Sequence, residues 1–585
     1  MFKKILNIID RIVKPVSANF IHFVWFFLLL LAPSIVNWLK MPLDFVHIKY
    51  LILATPVCFW SSYLCCGIIY LIGSGYVRRI IYVFLTLGTA VECFLFLFFG
   101  TFISEMTMQF MLGTNLNETV GFLKTYIFTK RFLLYSIAVF LVLLLNVVSV
   151  RRFKKITTGK YLRLLILLIL IPCCILNVWR DVRFVKLMCE TEIQTILHGR
   201  EKRLSKNYTI TGRLIYSSRM TYILWNDIIN LEEVLKQNKF VTSSYQSPKI
   251  VVVIGESFNK NHSNLYGYSL NTNPLLTNEL HLGNLYVFND VITPFNATYR
   301  CLKSLLSFSS QDNNIYWASD LLFPAIFKRA GYSVYFISNQ EVYGENDDMW
   351  SSPNDYLTNS KISPYLFDYM NPKKYQYDGE LISYFKEVVN SGERSDLYLD
   401  IYHLHGQHAA YQQCYPASYD IFAPNDYLHL TKLDFAEKAI LASYDNATLY
   451  NDKVINDIID LYRNEEVILL YFSDHGEEVY DFRNRAGRCH EEIISAPRAR
   501  CEYSIPFMIW ISDKYKVLHP SIVKSISESL DYPFMIDDLP HLLIDLAGIG
   551  YESYEPSRSL INPSYNKERK RYLEINKQCY EDIMN

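Results

Sequence analysis

Residues 467–477 read Val467-Ile468-Leu469-Leu470-Tyr471-Phe472-Ser473-Asp474-His475-Gly476-Glu477. The apolar first half is typical of a buried strand, and the polar second half begins where such a strand would end. Adjacent residues cannot both face one core, but at the end of a strand Asp474 and His475 can both turn toward one cation. The stretch therefore predicts an α/β sheet with a metal site at its edge. The alternative interpretation is an ordinary turn with solvated polar residues.

The chain of 585 residues divides into two parts of different composition, and the first part is strongly apolar. Its apolar runs lie at about 20–40, 50–73, 79–103, 132–150 and 161–179. Each run is near the length of a bilayer crossing and keeps no polar face. The sequence therefore predicts a transmembrane domain with five helices over residues 1–180. A soluble protein with several buried helices is the alternative.

Basic residues stand before the first apolar run, between the second and third, and between the fourth and fifth, so all of them fall on one side of the predicted membrane. They are Lys3, Lys4, Arg11, Lys14, Arg78, Arg79, Arg151, Arg152, Lys154, Lys155 and Lys160. Because positively charged segments stay in the cytoplasm, this pattern predicts a cytoplasmic N-terminus. Everything after about Trp179 then lies on the far side of the membrane. The longer loop at 104–130 falls on that same side, where we expect an interfacial segment.

The remaining residues read as a soluble α/β protein attached to the membrane part. Charged residues 181–245 are predicted to form bridging helices, and the domain proper spans 246–585. Strands are predicted at 249–257, 285–288, 333–337, 397–402, 467–472 and 507–511, and helices at 318–330, 378–391 and 434–463. This alternation predicts a doubly wound, mostly parallel sheet. A net charge of −1 argues against nucleic acid as a partner.

Polar side chains of similar chemistry follow three of the predicted strands. Glu256 ends the first strand, His403 and His408 follow the strand at 397–402, and Asp474 with His475 follow the strand at 467–472. In a parallel sheet these ends converge on one edge, and carboxylate oxygen with imidazole nitrogen is a ligand set suited to zinc. We therefore expect one zinc site there. Taken singly, each of these residues is also compatible with a solvated surface position.

A candidate nucleophile lies between the strand near 285 and a helix near 301. Thr298 stands where a loop enters that helix, so a metal at the sheet edge could activate its hydroxyl while the helix N-terminus stabilises an incoming phosphate. The alternative is that Thr298 is simply the N-cap of the helix, a role that threonine commonly fills.

Several polar motifs follow one another along the soluble part: Gly255-Glu256-Ser257, His262-Ser263-Asn264-Leu265-Tyr266-Gly267-Tyr268, Asn271-Thr272-Asn273-Pro274, Thr298, His403-Leu404-His405-Gly406-Gln407-His408, Tyr444-Asp445-Asn446 and Ser473-Asp474-His475-Gly476-Glu477. Taken in order, they resemble the motifs of bacterial phosphoethanolamine transferases, inner-membrane enzymes of the sulfatase-like alkaline phosphatase superfamily that modify lipid A or the lipopolysaccharide core. The resemblance covers nearly the whole chain, including the five predicted crossings and the segment 114–118.

The resemblance implies specific roles for residues of this chain. It implies four zinc ligands: Glu256, Thr298, Asp474 and His475. It implies a set of histidines around the transferred phosphate or a second zinc: His403, His408 and, as a weaker match, His490. Thr114 and Glu118 match residues that meet the ethanolamine group of the donor, and Glu118 could pair with its ammonium. Phosphatidylethanolamine is then the donor, lipid A or lipopolysaccharide core the acceptor, and Thr298 the residue that carries phosphoethanolamine in between.

Two other functions remain open at the level of sequence. A phosphoglycerol transferase resembling lipoteichoic acid synthases would share the topology and the threonine chemistry. A non-catalytic membrane scaffold with a degenerate enzyme domain would share only the fold. A sulfatase activity is disfavoured, because the segment around Thr298 lacks the Cys/Ser-x-Pro-x-Arg motif that such enzymes need.

Overall fold

The structure is a computed structural model that describes residues 2–40, 45–99, 102–103, 107–108, 127, 130–153, 158–189, 209–313, 315–340, 356–391, 394–483, 486–488, 494–574 and 577–585. The chain forms two compact units, Met1–Trp225 and Asn226–Asn585. The division falls inside the segment 181–245 that the sequence assigns to a bridge.

The first unit is helical. Its helices are α1 Phe2–Ala18, α2 Phe20–Lys40, α3 Phe45–Ile72, α4 Gly75–Phe99, α5 Lys130–Arg152, α6 Lys160–Cys189 and α7 Ile210–Lys236, the last of which continues into the second unit. Within the described residues, five of these helices are long and apolar enough to cross a membrane: α2 to α6. This confirms the five predicted apolar helices.

A buried ion pair joins two helices of the first unit. Glu92 on α4 is fully buried, and Arg213 on α7 is 4% exposed and donates to both of its carboxylate oxygens. Such a pair is stable in an apolar setting only when both charges are satisfied by each other, so it fixes α7 against α4. The sites predicted at Thr114 and Glu118, and most of the loop 104–130, lie outside the described residues.

The second unit is built on a seven-stranded sheet. Its strands are β1 Lys249–Gly255, β2 Leu285–Val287, β3 Ser333–Ser338, β4 Tyr369–Met370, β5 Tyr398–His403, β6 Ile468–Ser473 and β7 Phe507–Ile511. They lie in the order β2-β7-β6-β1-β5-β3-β4, and the five strands from β6 to β4 are parallel. At the other edge β7 pairs antiparallel with both β6 and β2. The predicted mostly parallel sheet is confirmed.

Helices cover both faces of this sheet. They are α8 Pro274–His281, α9 Thr298–Leu306, α10 Phe323–Arg329, α11 Ser363–Leu366, α12 Asp378–Asn390, α13 Phe435–Tyr462, α14 Ala496–Glu502, α15 Asp513–Leu518, α16 Pro520–Glu528, α17 Leu539–Ala547 and α18 Tyr580–Met584. The helix predicted at 318–330 begins only at Phe323, because Pro324 fits the first turn of a helix but not its interior.

The central strand β1 shows why the sheet lies in the middle of the unit. Ile250, Val252 and Ile254 face one apolar core, while Val251 and Val253 face a second core on the other side. All five side chains are buried, so alternate residues of one β-branched run fill two cores. The charged residues that follow β1, β5 and β6 therefore emerge together at one edge of a sheet whose faces are closed.

Candidate metal centre

Strand register brings the first two site residues together. β1 and β6 are parallel neighbours in which Gly255 pairs with Ser473. Glu256 is the first residue after β1 and Asp474 is the first residue after β6, so the two lie side by side. The amide of Asp474 donates to the carbonyl of Gly255 at 3.0 Å and extends the ladder by one bond. Both carboxylates are fully buried. The convergence predicted from the sequence thus has a direct cause in the pairing of the two strands.

Thr298 is the first residue of α9, and the N-cap of that helix is Ala297. The alternative interpretation of Thr298 as the N-cap is therefore wrong. Its Oγ1 instead donates to Oε2 of Glu256 at 3.0 Å and lies 3.2 Å from Nε2 of His475. The start of a nine-residue helix thus holds a hydroxyl against a carboxylate and an imidazole.

His475 presents one defined ring nitrogen to this cluster. Its Nδ1 donates to the carbonyl of Gly476 at 3.0 Å, which leaves the lone pair on Nε2. Nε2 lies 3.3 Å from Oε1 of Glu256 and 3.2 Å from Oδ2 of Asp474. One ligand atom from each of these three residues lies within 4.8 Å of the other two. Burial, together with the positive charge of Arg488, lowers the pKa of His475 to about 3, so the ring is neutral.

The three residues fit a divalent cation. Oδ2 of Asp474 is buried and, among the described residues, receives no hydrogen bond. Burial raises the pKa of Asp474 well above its ordinary value, and the neighbouring Glu256 carboxylate raises it further, because two charges in one dry site repel each other. A cation bound between the two carboxylates would offset both the burial of their charges and the repulsion between them. Two carboxylates and one neutral imidazole are ligands that zinc accepts.

Arg488 belongs to the site although no sequence pattern pointed to it. Its Nη1 contacts Nε2 of His475 and donates to the carbonyl of Asn296 at 2.9 Å, and its Nε lies 3.3 Å from Oε2 of Glu477. Burial favours neutral Glu256, but the pKa of Glu256 is nevertheless lowered, and the positive charge of the Arg488 guanidinium contributes to this. The guanidinium therefore supplies positive charge beside the atoms that would hold the metal.

The three remaining predicted histidines have different positions. His403 is the fully buried last residue of β5, paired with Ile254 of β1. His408 lies in the loop after β5, where its ring centroid is 5.0 Å from that of His405. His490 lies outside the described residues. The structure thus places one histidine at the sheet edge and another on the loop beside it.

A cavity of about 590 Å³ opens next to the metal centre, and His405 and His408 line it. Gln340 joins the two features, because it also lines the cavity while its Nε2 donates to Oε2 of Glu256 at 3.2 Å. Lys374 is a further lining residue. No sequence pattern pointed to Gln340 or Lys374, since both lie in irregular segments beyond strand ends.

Comparisons with known proteins agree with this architecture. The Sulfatase family model matches residues 248–549, and the model of phosphoethanolamine transferase EptA/EptB matches residues 61–186. Phosphoethanolamine transferase EptC of Escherichia coli strain K12 is 29% identical over 496 residues, which cover 82% of this chain and 81% of that protein.

Two solved structures extend the comparison. The C-terminal periplasmic domain of Escherichia coli EptC, crystallised in complex with zinc, is 30% identical, with a TM-score of 0.51, and the match covers 59% of this chain and 96% of that domain. The integral membrane protein EptA of Neisseria meningitidis is 18% identical with a TM-score of 0.50, and the match covers 91% of this chain and 97% of that protein. The second likeness shows the fold alone.

The separate observations converge on a multi-pass membrane protein that carries a sulfatase-type domain. The sheet-edge cluster lies inside the residues that the Sulfatase model matches, and five membrane-competent helices precede it. The chain belongs to the family of bacterial phosphoethanolamine transferases.

Proposed function

We propose that this protein is a zinc-dependent transferase that moves phosphoethanolamine from phosphatidylethanolamine to lipid A or the lipopolysaccharide core through a modified Thr298. The observation that carries the proposal is the position of the Thr298 hydroxyl, at 3.0 Å from Oε2 of Glu256 and 3.2 Å from Nε2 of His475. A threonine at the start of a helix, against a buried carboxylate and a neutral imidazole, is placed as a nucleophile rather than as a cap.

Four residues would hold the metal: Glu256, Thr298, Asp474 and His475. When bound, zinc lowers the pKa of a hydroxyl and neutralises charge on a phosphate. The protein's own contribution is to fix these side chains on two neighbouring strands and one helix, so that they need no rearrangement when substrate arrives.

In the first step the Oγ1–phosphorus bond forms on Thr298, and the bond between phosphorus and the diacylglycerol oxygen breaks. The hydroxyl proton lies on the hydrogen bond to Oε2 of Glu256, which is placed to receive it. The N-terminus of α9 and the Arg488 guanidinium face the charge that develops on the phosphate oxygens. The proton taken from Thr298 then passes from Glu256 to the leaving oxygen, so diacylglycerol departs with a free hydroxyl group.

In the second step an acceptor oxygen attacks the same phosphorus. The bond from phosphorus to Oγ1 of Thr298 breaks, the acceptor loses its proton, and the threonine hydroxyl is restored. Because the two steps use one phosphorus and one pocket, donor and acceptor follow each other rather than bind together. His403 and His408 are proposed to surround the phosphate or a second zinc, with His490 as a further candidate.

The proposed topology follows from the charge pattern of the membrane part. The N-terminus is cytoplasmic, five helices cross the bacterial inner membrane within residues 1–180, residues 181–245 form a bridge, and residues 246–585 lie in the periplasm. Thr114 and Glu118 are proposed to meet the donor's ethanolamine group on that same side. This places the nucleophile on the side of the membrane where lipopolysaccharide is modified.

The test is transfer from labelled phosphatidylethanolamine by the full-length protein in membrane vesicles. Thr298→Ala is expected to lose transfer by about 1,000-fold or more, because the nucleophile is gone, whereas Thr298→Ser keeps part of the activity. Thr293→Val, which removes another hydroxyl from the same segment, is the control and should stay near wild type. Full transfer by Thr298→Ala would overturn the proposal.

The alternatives from the sequence are separated by the same assay. Transfer from labelled phosphatidylglycerol, with none from phosphatidylethanolamine, would indicate a phosphoglycerol transferase. A folded protein that binds no zinc and labels with neither lipid would indicate a scaffold.

A further inference from the structure

The C-terminal segment of the chain reaches back to the loop that carries Thr298. Leu573 is fully buried in an apolar cluster that also contains Ile292, a residue of the chain that leads into this loop. The amide of Glu574 donates to the carbonyl of Pro294 at 2.9 Å. Two segments that lie far apart in the sequence are thus in direct contact a few residues before the candidate nucleophile.

Arg571 anchors this contact at the start of the C-terminal segment. Its guanidinium donates to the two carboxylate oxygens of Asp290, at 2.8 Å and 3.0 Å, and to Oε1 of Glu581 at 2.7 Å. The Arg571 side chain is 4% exposed, and such a bidentate pair is strong and fixed in direction. Arg571 therefore holds the C-terminal segment against the residues that precede the loop.

The carboxylate of Glu574 spans the position of the nucleophile. Its Oε2 accepts from Nη1 of Arg300 at 3.0 Å, and its Oε1 accepts from the backbone amide of Asn296 at 3.4 Å. Oε1 also accepts from the hydroxyl of Tyr503 at 2.9 Å, which directs the carboxylate. One buried side chain thus holds the chain two residues before and two residues after Thr298.

The backbone of Glu574 agrees with this role. Its φ of 53° is in the left-handed region, which residues that have a Cβ seldom adopt. Such a conformation persists where the surrounding contacts enforce it. At Glu574 the contacts are the hydrogen bonds that its amide and its carboxylate make with the loop, so the side chain is directed at the loop rather than into solvent.

The same loop is also tied to the segment that carries His475. Nδ2 of Asn296 donates to Oε2 of the fully buried Glu502 at 2.7 Å, and the carbonyl of Glu502 accepts from the amide of Gly476 at 3.0 Å. Gly476 directly follows His475, whose Nε2 is 3.2 Å from Oγ1 of Thr298. A displacement of Asn296 therefore changes the position of the hydroxyl relative to the imidazole.

We propose that Glu574 is a positioning residue, which holds the loop on both sides of Thr298 so that the threonine hydroxyl stays against Glu256 and His475. The inference rests on the proposed function, in which Thr298 is the nucleophile. Glu574 acts through Asn296 and Arg300, and it touches neither the substrate nor the candidate metal ligands. Because a displacement of about 1 Å can slow a reaction about 100-fold, loss of this contact should reduce the rate and leave lipid binding unchanged.

The experiment measures the two steps of the full-length enzyme separately. Each variant is charged with labelled phosphatidylethanolamine without acceptor, and discharge is then followed with lipopolysaccharide. In Glu574→Ala the maximal rates of charging and discharge should both fall about 10- to 100-fold, because Thr298 takes part in both steps. The half-saturating concentrations of the two lipids should change about twofold or less, and the zinc content should not change.

Three further variants separate positioning from stability. Glu574→Gln keeps the oxygen that faces Tyr503 and Asn296 and should recover most of the rate. Asp227→Asn breaks a buried ion pair with Lys303 in the last turn of α9, so it should lower stability but leave charging near wild type. Glu568→Ala, at an exposed position of the C-terminal segment, should behave as wild type.

The inference is overturned if Glu574→Ala charges at the wild-type maximal rate, or if its defect is weaker binding of phosphatidylethanolamine. It is also overturned if Asp227→Asn slows charging as much as Glu574→Ala, since the effect would then follow stability.

Amide hydrogen exchange of the full-length protein, followed by mass spectrometry, gives a readout that does not depend on transfer. In Glu574→Ala, exchange should become faster in peptides that contain residues 294–300 and stay unchanged in peptides from β6. Unchanged exchange over 294–300 would contradict the inference. A wild-type enzyme that never becomes labelled on Thr298 would refute the proposed function, and the exchange measurement would still decide whether Glu574 holds the loop.

Discussion

The candidate metal centre and the neighbouring cavity are built by different means. Glu256 and Asp474 follow paired strands and are fully buried, so backbone register alone puts them side by side. The cavity wall consists of loops whose positions depend on side-chain hydrogen bonds to Asp378 and Asn339. The reacting groups are therefore fixed by the strands of the sheet, while the groups that line the cavity lie on loops outside the strands.

Removing a ligand from the sheet edge should have the largest effect. Asp474→Asn keeps the size of the side chain but removes one of the charges that would hold the cation, so zinc content and transfer should both fall, transfer by about 1,000-fold. Zinc is measured by elemental analysis of the purified full-length protein. Asp460→Asn on the exposed face of α13 is the control. Normal zinc content in Asp474→Asn would remove this residue from the metal site.

Substitution of Arg488 tests whether its positive charge stabilises the phosphate during transfer or supports metal binding. Because its guanidinium contacts Nε2 of His475, it competes with a cation for that atom. Arg488→Gln should therefore bind zinc at least as tightly as wild type, while transfer falls about 100-fold through lost stabilisation of phosphate charge. Arg488→Lys should recover part of the rate. A parallel loss of zinc and activity would instead assign Arg488 to the support of the metal ligands.

The residues that cluster at the sheet edge were easier to predict from the sequence than the residues around them, for physical reasons. A β-branched run that ends in a polar residue identifies a strand end, and the carboxyl ends of parallel strands share an edge. Glu256, Asp474 and His475 could therefore be placed at one edge of the sheet from the sequence alone. Arg488 comes from an irregular segment with no periodic signal. A shift of one residue in the start of the helix decides whether Thr298 is the N-cap or the residue after it, and sequence patterns do not define helix boundaries that closely.

The sequence likewise did not predict whether strand β7 pairs parallel or antiparallel with its neighbour. Residues 507–511 were predicted as a strand, and they form β7, but β7 runs antiparallel to β6. A short apolar run fits either direction, because its side chains are buried in both cases.

The cavity should respond to a change in its hydrogen-bond network without any change at the sheet edge. Asp378→Asn replaces one acceptor oxygen of the carboxylate that ties together His405, Gly406 and Asn339. We expect about a 10-fold rise in the half-saturating acceptor concentration, with zinc content and the charging step unchanged. Charging and discharge kinetics of the full-length variant measure this. An equal loss in both steps would show that loop and sheet edge act as one rigid body.

The smallest effect on activity is expected at His262, behind the metal centre. Burial disfavours its charged form, but the carboxylates of Asp445 and Asp481, at 2.7 Å and 3.4 Å, outweigh burial and raise the pKa of His262 to about 10. Tyr268 also donates to Asp445. A raised pKa stabilises the fold below the unfolded value near 6.5, and the contribution is lost as the pH rises toward 10.

His262→Gln should therefore lower the free energy of unfolding of the detergent-solubilised protein. The decrease should be largest at pH 6, about 2–4 kcal/mol, and become progressively smaller up to pH 10. Transfer at low temperature should change about twofold or less, because the side chain does not touch the reacting groups. A stability difference that is constant over this pH range would show that His262 acts through packing rather than through its charge.

The central claim is that Thr298 carries the phosphoethanolamine group between donor and acceptor. Full-length protein is incubated with phosphatidylethanolamine in the absence of acceptor, digested, and its peptides are analysed by mass spectrometry. We predict the added mass of one phosphoethanolamine group on the peptide that contains Thr298, and its loss when lipopolysaccharide is supplied. An unmodified Thr298 in a preparation that transfers phosphoethanolamine at full rate would contradict the account.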